Sequence, residues 1–113
     1  MGIQIIGTKK CRETQKTERY FKERKIAYHL VDLNQRELSP GELKSLIQAL
    51  GADELIDTES KLYRKKGMQF MDFDALEELS EHPDLMKTPV VRGGSKAVMG
   101  YDPDAWKTEL GVA

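Results

Sequence analysis

Residues 3–33, "IQIIGTKKCRETQKTERYFKERKIAYHLVDL", decide the fold. Ile3 to Ile6 is short, β-branched and apolar at almost every position, the pattern of a strand buried on both faces of a parallel or mixed sheet. Gly7 and Thr8 end it. From Cys11 to Lys25 no Pro or Gly interrupts, and most residues are good helix formers. The apolar stripe of this helix is thin: Thr14, Thr17 and Phe21, with Tyr20 beside it. Ile26 to Leu33 then reads as a second strand, rich in β-branched, aromatic and leucine residues, before the polar "NQRE" loop. Strand, helix and strand in this order form a βαβ unit whose two strands run parallel.

Further along, the middle of the chain is helical. In "SPGELKSLIQALG" Ser39 is the N-cap, Pro40 takes the first helical position and Glu42 closes a capping box; Leu43, Leu46, Ile47 and Leu50 share a face, and Gly51 is the stop. "ADELI" reads as a short turn, "TESKLYRKKG" as another capped stretch ending at Gly67, and "DFDALEELSEHP" as a helix with Phe73, Leu76 and Leu79 inward. Met68 and Met71 around Phe70 are expected to pack this region against the sheet. "TPVVRGGSKAVMG" is two apolar runs joined across Gly93 and Gly94, the form of a β-hairpin. After it Asp102 caps a last helix, with Pro103 in the first turn, Trp106 and Leu110 inward and Gly111 as the end. The fold class is α/β, in the order βαβ, helical insert (about 35–86), ββα.

With 113 residues the chain has room for one modest core. Eighteen Lys and Arg against nineteen Asp and Glu give a net charge of -1, so no overall pull draws it to nucleic acid or an acidic membrane surface. An electrostatic site must be local. One cysteine makes no internal disulfide, the start "MGIQIIG" lacks the features of a secretory signal, and Ile6 stands where N-myristoylation of Gly2 wants Ser or Thr. No apolar run approaches the roughly 20 residues of a membrane helix. The expectation is a cytoplasmic, reduced monomer.

Cys11 stands at a loop-to-helix junction, where unpaired backbone N–H groups and the positive end of the helix dipole favour a thiolate. Lys9, Lys10 and Arg12 flank it and act in the same direction. The alternative for a lone cysteine is a small buried hydrophobe; position and flanking charge favour the nucleophile. Thr14 occupies the place three residues on, where a dithiol enzyme has its second cysteine. A Cys11 adduct must therefore be resolved by an outside thiol.

These landmarks resemble the arsenate reductase family along nearly the whole chain: Cys11 after the first strand, "VDL" ending the second, "ELKSLIQALG" followed by "LIDT", then "LYRKKG", "HPDLM" and "TPVVRGGSKAVMG". The resemblance implies a thioredoxin-like mixed β-sheet with a helical insertion, and a cis bond before Pro89 beside the reactive cysteine. Taken alone, Pro89 reads as a trans proline at a strand edge, since an ordinary X-Pro bond is cis in only about 5–6% of cases; the cis expectation rests on the resemblance. Thr8, Thr14, Lys87, Thr88, Pro89 and Arg92 are the residues expected to meet a substrate. The reductases carry three arginines for their oxyanion, a task suited to forked guanidinium groups. Those places hold Asp57, Thr88 and Tyr101 here, and the His four residues before the cysteine is Gly7.

"GTKKCRETQKT" looks like a YffB-like branch of the family, with Lys16 five positions beyond the cysteine. That likeness implies a glutathione-linked thiol oxidoreductase with no bound cofactor and glutathione as co-substrate; its partners are a small thiol or glutaredoxin, with a protein disulfide as a possible substrate. Lys16 either reaches the sulfur or is a solvated lysine, and Arg64 either binds a carboxylate of glutathione or decorates the insert. Two alternatives accompany this reading: a glutathione- or glutaredoxin-dependent arsenate reductase, and an Spx-like regulator that binds RNA polymerase without catalysis. His29 and His82 have no neighbours at ligand spacing, so no metal site is expected. "RGGSK" lacks the form of a phosphate-binding loop, and "YRKKG" reads as a solvated helix face.

Overall fold

The computed structural model describes residues 2–112. In chain order the elements are β1 (Ile3–Gly7), α1 (Arg12–Glu23), β2 (His29–Asp32), α2 (Pro40–Leu50), α3 (Ala52–Leu55), α4 (Lys61–Lys65), α5 (Ala75–Glu81), β3 (Val90–Gly93), β4 (Lys96–Met99) and α6 (Pro103–Leu110). They divide into two compact units, Met1–Arg36 with Thr88–Ala113, and Glu37–Lys87.

The first unit is a thioredoxin-like mixed sheet in the order β2-β1-β3-β4. β1 runs parallel to β2, with Ile5 opposite Leu30 and Gly7 opposite Asp32; β1 is antiparallel to β3, with Ile6 opposite Val90, and β3 to β4. The two central strands hold consecutive apolar residues because both their faces are covered: Ile5, Ile6, Val90 and Val91 are all buried. On one face Ile5, Val91 and Val98 pack with Tyr20, Phe21, Trp106 and Val112. The aromatic rings of that core meet edge to face, with Trp106 5.1 Å from both Tyr20 and Phe21 and 5.3 Å from Tyr101. Tyr28 closes the cluster from the edge. Its hydroxyl donates to Glu18 (2.8 Å), and partial burial together with the Glu18 carboxylate pushes the phenol up to about 12.

Two boundaries differ from the sequence reading. α1 stops at Glu23 because Lys25 takes a left-handed conformation (φ 57°), which lets the Ile26 amide reach back to the Phe21 carbonyl (2.9 Å) and satisfies the helix end. β2 begins at His29 rather than Ile26, since the four residues Gln4–Gly7 of β1 pair only with His29–Asp32; Ile26 and Tyr28 pack on the core instead.

In the second unit α2 has the expected capping box: the Glu42 amide donates to Ser39 Oγ (3.1 Å), and the Ser39 amide to Glu42 Oε1 (2.9 Å). "ADELI" forms one helical turn, α3, not a plain turn. An antiparallel bridge between Ile56 and Met86 ties the unit together, and Lys66 pairs with Glu78 at 2.7 Å. The expectation for the methionines needs correction. Met68 is buried, but Phe70 is 88% exposed and Met71 42%, because the 3₁₀ turn that follows left-handed Gly67 carries both side chains outward.

Candidate functional site

The end of β1 sets the position of the cysteine. After Gly7 the chain makes a tight turn in which the Cys11 amide donates to the Thr8 carbonyl (3.1 Å). Cys11 is thereby the N-cap of α1, with extended backbone (φ −76°, ψ 121°) and its carbonyl accepting from the Gln15 amide. Its side chain makes no cap bond, which leaves the first amides of the helix open toward the sulfur. The thiol is half-buried.

Seventy-seven residues later the same sheet brings a second loop to this point. Because Ile6 is opposite Val90 in an antiparallel pair, the residues after Gly7 and those before Val90 emerge from one end of the sheet. The Thr88–Pro89 bond is cis, as the resemblance implies, and the Cys11 thiol donates to the Thr88 carbonyl at 3.8 Å.

Burial pushes the Cys11 thiol up, but hydrogen bonds outweigh it and hold the group below its ordinary value; they come from the Thr14 and Thr88 side chains and from the backbone amides of Thr14 and Glu13. The Thr14 hydroxyl is the informative member of this set. Thr14 is fully buried and its Oγ1 has no hydrogen-bond partner among the described residues. Ionisation gives this orphaned donor a charged acceptor, so part of the desolvation cost of Thr14 is recovered in the thiolate state.

Gly7 makes the placement of Thr14 possible. A Cβ at Gly7 would clash with Thr14 Oγ1 and lie 2.8 Å from its Cγ2, inside any tolerable contact. The requirement is space, not dihedral freedom. We expect Gly7→Ala to destabilise the protein by about 1–3 kcal/mol, read as a lowered melting midpoint. Adding Thr14→Ser, which removes Cγ2 and frees the hydroxyl to rotate, should recover part of that loss; a Gly7→Ala protein that melts like the wild type would show that Thr14 is not fixed by this contact.

Other residues singled out in the sequence lie as follows. Lys9, Lys10 and Arg12 are exposed around the turn, and the Gln15 side chain donates to the Lys9 carbonyl. Lys16 places its ammonium 4.3 Å from the centre of the Tyr101 ring. Arg92 is two register steps along β3 from Val90, and its Nε donates to the Gly94 carbonyl (3.1 Å) at the hairpin turn, away from the cysteine end of the sheet. Arg64, Lys87 and Asp57 belong to the second unit; the side chains of Arg64 and Lys87 are exposed, and Asp57 accepts from the Glu59 amide (3.0 Å). Three contributors escaped the sequence reading: the Glu13 amide, Gly7 as the partner of Thr14, and Tyr101 as the seat of Lys16. Only Gly7, a glycine closing a buried strand, left a trace in the sequence. Among the described residues no group of three or more His, Cys, Asp or Glu is placed to hold a metal ion, and no helix is long and apolar enough to cross a membrane.

Comparison with known proteins agrees with this architecture. The global transcriptional regulator Spx 2 of Oceanobacillus iheyensis is 29% identical over 133 aligned positions, which cover 99% of this chain and 98% of that protein. The arsenate reductase of Haemophilus influenzae is 26% identical over 110 positions, covering 92% and 95% respectively. A solved YffB protein matches with a TM-score of 0.85 at 25% identity, over 96% of this chain and 98% of its own. The model of the ArsC family matches residues 6–108, from Ile6 in β1 to Thr108 in α6, and so takes in both the cysteine turn and the Thr88–Pro89 loop: the chain belongs to the ArsC family.

Proposed function

We propose that the protein is a single-cysteine thiol oxidoreductase, a cytoplasmic monomer that works with glutathione. The observation that carries this reading is a half-exposed cysteine at an open helix N-terminus, held below its ordinary thiol value with no second cysteine in the chain. The Cys11 thiolate attacks one sulfur of a mixed disulfide, forming a Cys11–S–S–R bond as the other sulfur leaves as a thiolate. When R is glutathione, a second glutathione thiolate attacks the adduct; glutathione disulfide departs and Cys11 is again an anion. In sum the mixed disulfide and one glutathione thiol become the free substrate thiol and glutathione disulfide: the released substrate sulfur is reduced, the incoming glutathione sulfur is oxidised, and the glutathione sulfur that entered with the substrate stays at the disulfide level. Lys9, Lys10 and Arg12 add positive potential at the turn. Thr8, Thr14, Thr88 and Pro89 shape the approach to the sulfur, and Lys16 is a candidate contact for a carboxylate. Glutaredoxin is the alternative reductant.

The test is turnover of a glutathione mixed disulfide with reduced glutathione, followed by glutathione disulfide formation, beside the pH dependence of Cys11 alkylation. A thiol held low ionises at lower pH, so the midpoint of the alkylation rate profile should lie below that of free cysteine. A midpoint at the free-cysteine value, with no turnover, would end the reading.

The likeness to Spx 2 supports a second reading, a regulator that binds RNA polymerase without catalysis. It predicts a polymerase complex that persists in a Cys11→Ser protein. Arsenate reduction is favoured by the Haemophilus influenzae relative but opposed by charge: Asp57, Thr88 and Tyr101 stand where arginines hold the oxyanion in the reductases that the chain resembles.

A further inference from the structure

The exposed face of α1 is unlike the rest of the chain in charge. Residues 1–36 carry nine Lys and Arg against four Asp and Glu, whereas residues 37–87 carry six against twelve. At 100° per residue, Arg12, Lys16, Arg19 and Lys22 fall on the side of α1 opposite its buried residues Thr14, Thr17, Tyr20 and Phe21, and all four are exposed. The acidic residues of the helix are mostly turned elsewhere. Glu18 accepts the Tyr28 hydroxyl at 2.8 Å, and a Glu13 carboxylate oxygen lies 3.9 Å from where a Cβ on Gly100 would be. Glu23 alone interrupts the face, at the end farther from Cys11. No ion pair occupies Arg12, Arg19 or Lys22 among the described residues, and Lys16 lies with its ammonium over the Tyr101 ring.

We propose that this cationic ridge is a docking surface for an acidic polypeptide segment flanking the disulfide that Cys11 attacks. The proposal rests on the thiol-exchange reading and adds the class of substrate. From Arg12 to Lys22 the ridge is about 15 Å long, whereas an extended tripeptide spans roughly 10 Å; the surface is longer than a small thiol can cover. It starts at the residue next to the nucleophile, so a segment lying along it delivers its disulfide to the sulfur. The net charge of -1 gives the chain no overall pull on a long polyanion, which favours a short acidic segment over nucleic acid. Complementary charge of this kind acts mainly on the rate of encounter and on the choice of partner.

The experiment compares two peptide–glutathione mixed disulfides, one flanked by Glu and Asp and one by Lys, in their rates of reaction with Cys11 of the full chain. At low salt the acidic peptide should react about tenfold faster or more. The ratio should fall toward one at about 0.5 M salt, where the screening length is only a few ångström, and in the Arg19→Glu/Lys22→Glu protein. Equal rates, or a preference that survives the double substitution, overturn the proposal, and a normal reaction of the wild type with neutral dithiodipyridine then leaves the thiol reading standing. If dithiodipyridine does not react either, the thiol reading has failed, and the surface is judged alone by fluorescence anisotropy of a cysteine-free acidic peptide on the Cys11→Ser chain. Salt-sensitive binding lost on Arg19→Glu/Lys22→Glu supports the surface; no binding overturns it. Tighter binding of a single-stranded oligonucleotide of equal charge also overturns it.

Discussion

Replacing Cys11 by serine is expected to remove thiol exchange completely, by at least about 10³-fold and to the limit of detection, while the protein still folds. The completeness follows from the composition. No other sulfur in the chain can form a disulfide, so no residual pathway through a neighbouring thiol exists. A serine hydroxyl is not ionised near neutral pH and forms no S–S bond, so the amides of Glu13 and Thr14 have no anion to stabilise. The fold should survive because the side chain is half-buried and a serine hydroxyl can take over the weak donation to the Thr88 carbonyl, 3.8 Å from the sulfur. A thiol whose folded value lies below its unfolded one adds stability above the unfolded value, and that stability is lost as pH falls through the folded value. The serine protein should therefore lack this pH-dependent increment and otherwise melt like the wild type. Disulfide exchange followed by mass spectrometry and melting curves at pH 5 and pH 9 check both parts. Turnover that persists in the serine protein would show that the sulfur is not the nucleophile.

The sheet was readable because its constraints are local. A run of apolar β-branched residues ending in Gly7, a stretch free of Gly and Pro, and a second run before "NQRE" leave little besides βαβ, and the structure pairs those strands in parallel. Ser39, Pro40 and Glu42 give α2 away for the same reason, since a cap is written within four residues. What depends on contacts distant in sequence was less legible. Cys11 and Thr88 meet through the β1–β3 register across 77 residues, and only the family resemblance pointed to it. Thr14 was legible as part of the inward stripe of α1. Its packing against Gly7 and its orphaned hydroxyl were not, because no spacing rule links a strand end to a helix residue seven positions on. The sequence also draws the eye to Lys9, Lys10 and Arg12, which are charged and adjacent, whereas the hydrogen bonds on the sulfur come from hydroxyls and amides that carry no formal charge. Lys25 broke the helix early by adopting a conformation that its residue type does not announce.

Trp106→Ala should be among the most destabilising single substitutions in the sheet unit, at about 3–5 kcal/mol, or a fall in melting midpoint of roughly 10–20 °C. Trp106 is fully buried and its ring touches Tyr20 and Phe21 of α1 as well as Tyr101, so its removal leaves a cavity where α1, α6 and the sheet meet. Those neighbours are large and already engaged edge to face, which limits how far they can collapse into the space. Trp106→Phe separates volume from polarity. The indole Nε1 is buried with no partner among the described residues, so phenylalanine discards an unsatisfied donor along with part of the ring. It should cost less than half as much as alanine. Equal losses for the two variants would mean that the indole nitrogen does find a partner, and that the core depends on its donor as well as on its bulk. The effect should extend to the cysteine. Tyr20 and Phe21 hold the buried side of α1, the helix whose first amides face the sulfur, so Trp106→Ala should move the alkylation midpoint of Cys11 toward that of free cysteine while Trp106→Phe leaves it in place.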